Sequence, residues 1–314
     1  MIAKKLFLII CAVPTLGMAD DSAAVSGPVS GFVFDQSARA IRPVLGVPGA
    51  SYLGPALLSD VDAASVAPDG SAALAVQKGR LVAAPGIKTL APQWTAVEGA
   101  ISDADLFAWS QDAAAIYSSK TGQAQIVRNL PKSPAPSAVL DLSVLSGRVA
   151  ALALEGDALL AGVEGADGGV YLLRSGKEPK LLAAAPGPVA LAIAGRDLYF
   201  ADRDGGRIWR IANFGDEPVP AVFAGGIDSP VGLYIAAGRL FVAGAGSNQL
   251  RLYDLASGAD SGSLDLEFTP TTLDPLGARS LLLMARGVPG EQPYFVLDTS
   301  QEPAVYFVPA GREQ

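Results

Sequence analysis

The sequence predicts an all-β fold, a β-propeller, and three observations carry that prediction. Apolar or alternating runs of 5–8 residues, broken by Gly, Asp or Asn, recur along the chain, a length that suits strands better than helices. The runs group into units of about 40 residues that align with one another. No amphipathic helix of useful length interrupts them.

From the N-terminus, Lys4 and Lys5 form a short basic stretch and Leu6 to Val13 an apolar run. Gly17 and Ala19 then put small residues at −3 and −1 of a cleavage point. Residues 1–19 therefore read as a signal peptide and residues 20–314 as a single propeller domain. The apolar run is far shorter than the roughly 20 residues a spanning helix needs, and no second apolar stretch is long and uninterrupted enough to span. The mature chain is expected to carry no membrane span. Cleavage also removes Cys11, the only cysteine, so a chain held by its core alone would remain. With no Asn-x-Ser/Thr sequon, the expectation is export in a bacterium, to the periplasm or the medium.

The next segment, Gly31 to Gly46 (GFVFDQSARAIRPVLG), reads as two strands. They are expected to complete a blade begun near Tyr294 to Val308 and so fasten the ring. Ala64 to Ala84 and Leu106 to Val127 share a plan of three apolar runs separated by two turns, and Val149 to Leu173 repeats it. The clearest pair is Pro188 to Ile211 (PVALAIAGRDLYFADRDGGRIWRI) against Pro230 to Tyr253 (PVGLYIAAGRLFVAGAGSNQLRLY), aligned without a gap at a spacing of 42. Pro270 to Ala285 restarts the plan once more. Asp204-Gly205-Gly206, Asp167-Gly168-Gly169 and Gly246-Ser247-Asn248 fall at equivalent hairpin positions, where the turn needs positive φ. Small residues in the first strands (Ala190, Ala192, Ala194, Gly232, Ala236) suit crowded ground beside a central channel. Six starts, near residues 62, 104, 149, 188, 230 and 270, favour six blades of about 40–42 residues plus the N-terminal fastening strand. Seven is also compatible with the length.

The segment LYFADRDGGRIWRI, Leu198 to Ile211, resembles a blade of NHL-type and SMP-30/gluconolactonase-like propellers, whose repeats run from an aromatic strand through an Asp-containing turn into Arg-Ile-x-Arg-Ile. APDG, Ala67 to Gly70, is similar to the turn of YVTN-type blades. These likenesses hold for single blades and imply architecture, on which many functions are built.

Chemistry is constrained by what the sequence lacks. It contains no histidine, which removes the usual neutral-pH base and the Ser-His-Asp triad. The mature chain would also lack thiolate nucleophiles. A formal charge of −8 without a basic cluster argues against nucleic acid as partner. Resemblance to the SMP-30-like group implies a divalent cation at the channel mouth, held by acidic and Asn side chains. The three asparagines, Asn129, Asn213 and Asn248, fall at strand ends or in a hairpin, so no metal ligand is assigned and no cofactor is expected.

The densest charged turn, Asp202-Arg203-Asp204, is the candidate ligand contact, weighed against a plain solvated hairpin. Trp109 and Trp209 sit in apolar strand patterns that fit packing between blades, and Trp94 lies in a connection where more exposure is expected. The functional expectation is an exported, non-catalytic propeller that binds a protein or small ligand. The alternative is a divalent-metal lactonase-like hydrolase.

Overall fold

The computed structural model describes residues 27–130, 132–278, 280–286 and 292–310. The expected signal peptide lies outside the described residues. The fold is a β-propeller of seven sheets, each an antiparallel meander. Blade 1 has three strands, β1 (Val29–Asp35), β2 (Ala40–Val47) and β3 (Ala50–Leu53). Blade 2 holds β4 (Val61–Val66), β5 (Ala72–Gln77), β6 (Arg80–Pro85) and β7 (Thr95–Ala96). Blade 3 holds β8 (Leu106–Ser110), β9 (Ala113–Ser118) and β10 (Gln123–Arg128), edged by β11 (Ala135–Pro136) and β12 (Leu140–Asp141). Blade 4 runs through β13 (Arg148–Glu155), β14 (Ala158–Glu164), β15 (Gly169–Leu173) and β16 (Lys180–Ala184). Blade 5 has β17 (Pro188–Ala194), β18 (Asp197–Asp202), β19 (Arg207–Ala212) and β20 (Val219–Gly225). Blade 6 has β21 (Pro230–Ala236), β22 (Arg239–Gly244), β23 (Gln249–Asp254) and β24 (Asp260–Asp265). Blade 7 has β25 (Asp274–Ala278), β26 (Leu281–Ala285), β27 (Tyr294–Asp298) and β28 (Ala304–Val308).

The burial pattern explains why the sequence is so apolar. Second strands are covered by a neighbouring blade on both sides, so β9 (AAAIYS) and β26 (LLLMA) are buried at every residue. Outer strands meet water, and β24 (DSGSLD) is exposed along nearly its whole length. The core is therefore no central globule. It is seven clusters, one at each contact between adjacent blades, from Phe32 with Ile41 and Ala75 between blades 1 and 2 to Val33 with Leu283 and Val296 between blades 1 and 7. Burying both faces of each sheet in this way is what closes the ring.

The six expected starts coincide with the first strands of blades 2 to 7, but the preferred count of six is corrected to seven. The N-terminal strands complete no C-terminal blade. They gain a third strand, β3, and stand as a separate sheet, while β25 to β28 supply blade 7 unaided. Parity gives the physical reason. Four antiparallel strands return the chain to the face it left, whereas three deliver it to the opposite face. Blade 1 must therefore run inverted if β4 is to begin on the same face as the later first strands. The contacts agree. The Val61 N–H at the start of β4 donates to the Arg39 carbonyl in the β1–β2 turn, and Arg39 pairs with Asp62 beside it. Asp35, at the end of β1, lies with Tyr294 at the start of β27. Here the side on which first strands of blades 2 to 7 begin is the front face, and β1 runs from back to front.

Behind β1, blades 2 and 7 touch: a Cβ on Gly70, whose φ is +68°, would stand 2.6 Å from the Gly277 carbonyl oxygen. That close approach needs glycine.

Candidate functional site

The first strands surround an axial channel of about 750 Å³, within the range of small-molecule sites. Ala190, Ala192 and Gly232 line it as the sequence suggested, the two alanines packing with Ala194 against the cluster between blades 5 and 6, whereas Ala194 and Ala236 lie off the channel. The waist is apolar, walled by Ala64, Phe107, Leu152 and Leu191 among others. The Trp109 Nε1–H donates to Ser65 Oγ across 2.9 Å, spanning the seam between β8 and β4.

Both mouths are polar. At the front, Asp105 accepts the Ser119 N–H at 3.1 Å, and Asp274 faces Arg286 at 3.7 Å. Both members of that second pair are well exposed, so it contributes roughly 0–1 kcal/mol and leaves its groups available to a ligand. At the back, Ser110, Gln111 and Glu155 edge the opening. Among the described residues no three acidic, His or Cys side chains are grouped to hold a metal ion.

The Asp202-Arg203-Asp204 turn lies on the front face between β18 and β19, and its three residues part company. Asp202 is 2% exposed. Its Oδ1 accepts the N–H groups of Gly187 at 3.3 Å and Gly205 at 3.1 Å, with Arg207 3.8 Å from Oδ2. It holds the turn and the approach to β17 together. Arg203 leaves its own blade and reaches Glu164 Oε1 of blade 4 at 2.9 Å. That is an ion contact without hydrogen-bond alignment, and Arg148 pairs with the other oxygen of Glu164. Asp204, half exposed, accepts from Arg203 Nε at 3.2 Å and is the most open to solvent of the three.

This division predicts unequal variants. Asp202→Ala strands two N–H groups and should cost about 2–4 kcal/mol, the lower part of the roughly 2–6 that two fully buried unsatisfied groups would cost, because the Gly205 N–H is only partly buried. Asp204→Ala should change stability by less than about 0.5 kcal/mol. Chemical denaturation of the two variants reads the difference, and equal midpoints would contradict the assignment.

The asparagines prove to be turn residues: Asn129, Asn213 and Asn248 adopt φ of 59°, 50° and 50°, a left-handed conformation that Asn tolerates. All three tryptophans are half-buried, Trp94 no less than the others. Trp209 stacks on Phe200 at 5.9 Å with Arg207 over the Trp209 ring at 5.8 Å, and Trp94 Nε1–H donates to the Leu57 carbonyl at 3.3 Å.

Sequence reasoning missed a buried polar group where the ring closes. Asp35 is 2% exposed. It accepts from Ser37 Oγ at 2.6 Å and from the Ala38 N–H at 3.2 Å, and Arg42 lies 3.4 Å away. Burial alone would raise its pKa, but these hydrogen bonds from Ser37, Ala38 and Arg42 outweigh it and hold the carboxyl below its ordinary value. Burial first, and then the facing Asp35 carboxylate, push the Tyr294 phenol well above its usual range.

No family model matches this sequence, and neither does any curated protein. Solved structures share the fold. A functionally unknown protein from Desulfotomaculum acetoxidans superposes with a TM-score of 0.60 at 13% identity, over 90% of this chain and 99% of that one. A chain of the mitotic checkpoint complex gives 0.55 at 12% identity over 83% and 81%, and a chain of a nidogen/laminin complex 0.51 at 13% over 75% and 92%. At such identities the likeness is one of fold.

Proposed function

We propose that this chain is an exported, non-catalytic binding propeller that receives a protein or small ligand at its axial channel and front face. The carrying observation is the open channel, with an apolar waist and polar groups at both mouths, of which Asp274 and Arg286 at the front are only weakly paired. Sites of this kind bury a ligand's apolar body and orient it through a few polar contacts. Propellers of similar fold occur in protein complexes, which supports a binding role at the level of architecture. The signal-like N-terminus supports export, and mass spectrometry of the chain recovered from a bacterial periplasm or medium should find Asp20 as first residue.

The test of function is a melting experiment combined with a turnover assay. The purified chain is expected to melt at the same temperature with and without chelator and to leave a panel of lactones and esters intact. A small ligand filling the channel should raise the melting point, at 100-fold its Kd by the equivalent of about 2.7 kcal/mol. A chelator-sensitive melting point accompanied by metal-dependent lactone hydrolysis would replace this reading with the hydrolase.

A further inference from the structure

We propose that two copies of this chain join edge to edge through β3, the outer strand of blade 1, forming a closed two-fold dimer. Blade 1 stops at three strands where every other blade has at least four, so β3 is an outer edge at the position of a third strand. The hydrogen-bond phase of that edge is fixed. The Gly54 N–H donates to the Pro43 carbonyl at 2.8 Å. Because an antiparallel pair alternates bonded and non-bonded partners, Leu45↔Tyr52 and Val47↔Ala50 are the bonded pairs. Ser51 and Leu53 therefore turn their N–H and C=O groups outward, and no described residue pairs with them.

Two such groups, two residues apart, are self-complementary. An antiparallel second copy centred on Tyr52 lets Ser51 of each chain exchange both bonds with Leu53 of the other. The two Tyr52 side chains then face each other as a non-hydrogen-bonded pair, the closer of the two antiparallel arrangements. Tyr52 is 51% exposed and Val47, at the adjoining hairpin, 54%.

Charge selects a second copy as the occupant. Sheet edges are ordinarily blunted by charge, proline or brevity. Here β16 carries Lys180, β20 carries Pro220, β24 carries Asp260 and Asp265, and β7, β11 and β12 are two residues long, while β28 (AVYFV), itself uncharged, is bounded by Pro303 and Pro309 with Glu302 beside them. From Val47 to Ser59 the chain has no charged residue at all. Two molecules of net charge −8 repel over most of their surfaces, and this edge lets identical copies meet without opposing like charges. A two-fold contact closes on itself and gives a dimer rather than a fibre.

The experiment is sedimentation velocity of the wild-type chain and Tyr52→Lys from 1 to 300 µM, with a cysteine cross-link as geometric readout. The wild type should reach a dimer within that range. Tyr52→Lys, which sets two ammonium groups face to face, should stay monomeric with an unchanged melting point at 1 µM. In a chain carrying Cys11→Ser and Tyr52→Cys, mild oxidation should give a covalent dimer, whereas Cys11→Ser with Asp254→Cys, on the back-face side of blade 6, should not. A wild type monomeric at 300 µM, a dimer that survives Tyr52→Lys, or assembly beyond two copies overturns the proposal.

Discussion

Asp35→Ala is expected to be among the most damaging single substitutions, at about 3–5 kcal/mol, the range for removing one partner of a buried ion pair. Asp35 ties the β1–β2 turn to itself through Ser37 and Ala38, holds Arg42, and faces Tyr294 of blade 7. Without it the Arg42 guanidinium, 20% exposed, has no counter-charge. Asp35→Asn should be milder because an amide oxygen still accepts from Ser37 and Ala38. The same carboxyl gives a pH signature. Its folded pKa lies below its unfolded value, so its contribution is complete above about pH 4 and is lost as pH falls further through the folded value. Urea midpoints between pH 6 and pH 2 should thus fall more steeply for wild type than for Asp35→Asn. Parallel profiles would show that Asp35 does not govern the acid limb.

The second large effect is expected from Gly31→Val. A Cβ at this position would stand 2.7 Å from both the Cβ and the carbonyl oxygen of Leu276, in the first strand of blade 7. Neither is the free end of a flexible side chain, so β1 and β25 must separate. Overpacking of this kind costs about 1–3 kcal/mol, and the backbone contact puts Gly31→Val at the upper end. At roughly 2–4 °C per kcal/mol for a chain somewhat smaller than this one, the melting point should drop by several degrees. Hydrogen exchange should accelerate in β1 and β25 before blades 3 to 5. Gly225→Ala, where an added Cβ meets nothing within 4 Å, is the control and should be silent.

Both effects fall at ring closure, the part of the fold least legible in the sequence. Blades 5 and 6 announce themselves because their second strands are buried on both sides, and LYFA and LFVA therefore repeat in step. Blade 1 has no such partner in the sequence. Its third strand, ASYL, is short and mostly exposed, with only Leu53 buried, and an outer strand leaves little apolar signal. The polar closure was equally hidden: Asp35 and Arg42 share one hairpin but Tyr294 is distant in sequence, and each alone resembles an ordinary turn or strand residue. At the candidate site, the charge density of Asp202-Arg203-Asp204 was visible but its division of labour was not, because Glu164 belongs to another blade. The channel-lining alanines were readable, since a strand that stays apolar yet small has few places to go.

The inverted first blade also decides how the molecule can be held. The N-terminal end of β1 lies on the back, where the Gly46 N–H donates to the Pro28 carbonyl. Val308, paired with Tyr294, ends the last strand at the front. A surface that captures the protein by its N-terminus would leave the mouth edged by Asp105, Asp274 and Arg286 pointing away from it, while capture by the C-terminus would press that mouth against the support. Connecting the start of β1 to the end of β28, as in a circular permutant, would require a path reaching over the rim, at least the roughly 20 Å of a strand of this length. In a ring built only of four-stranded blades, those ends would meet on one side.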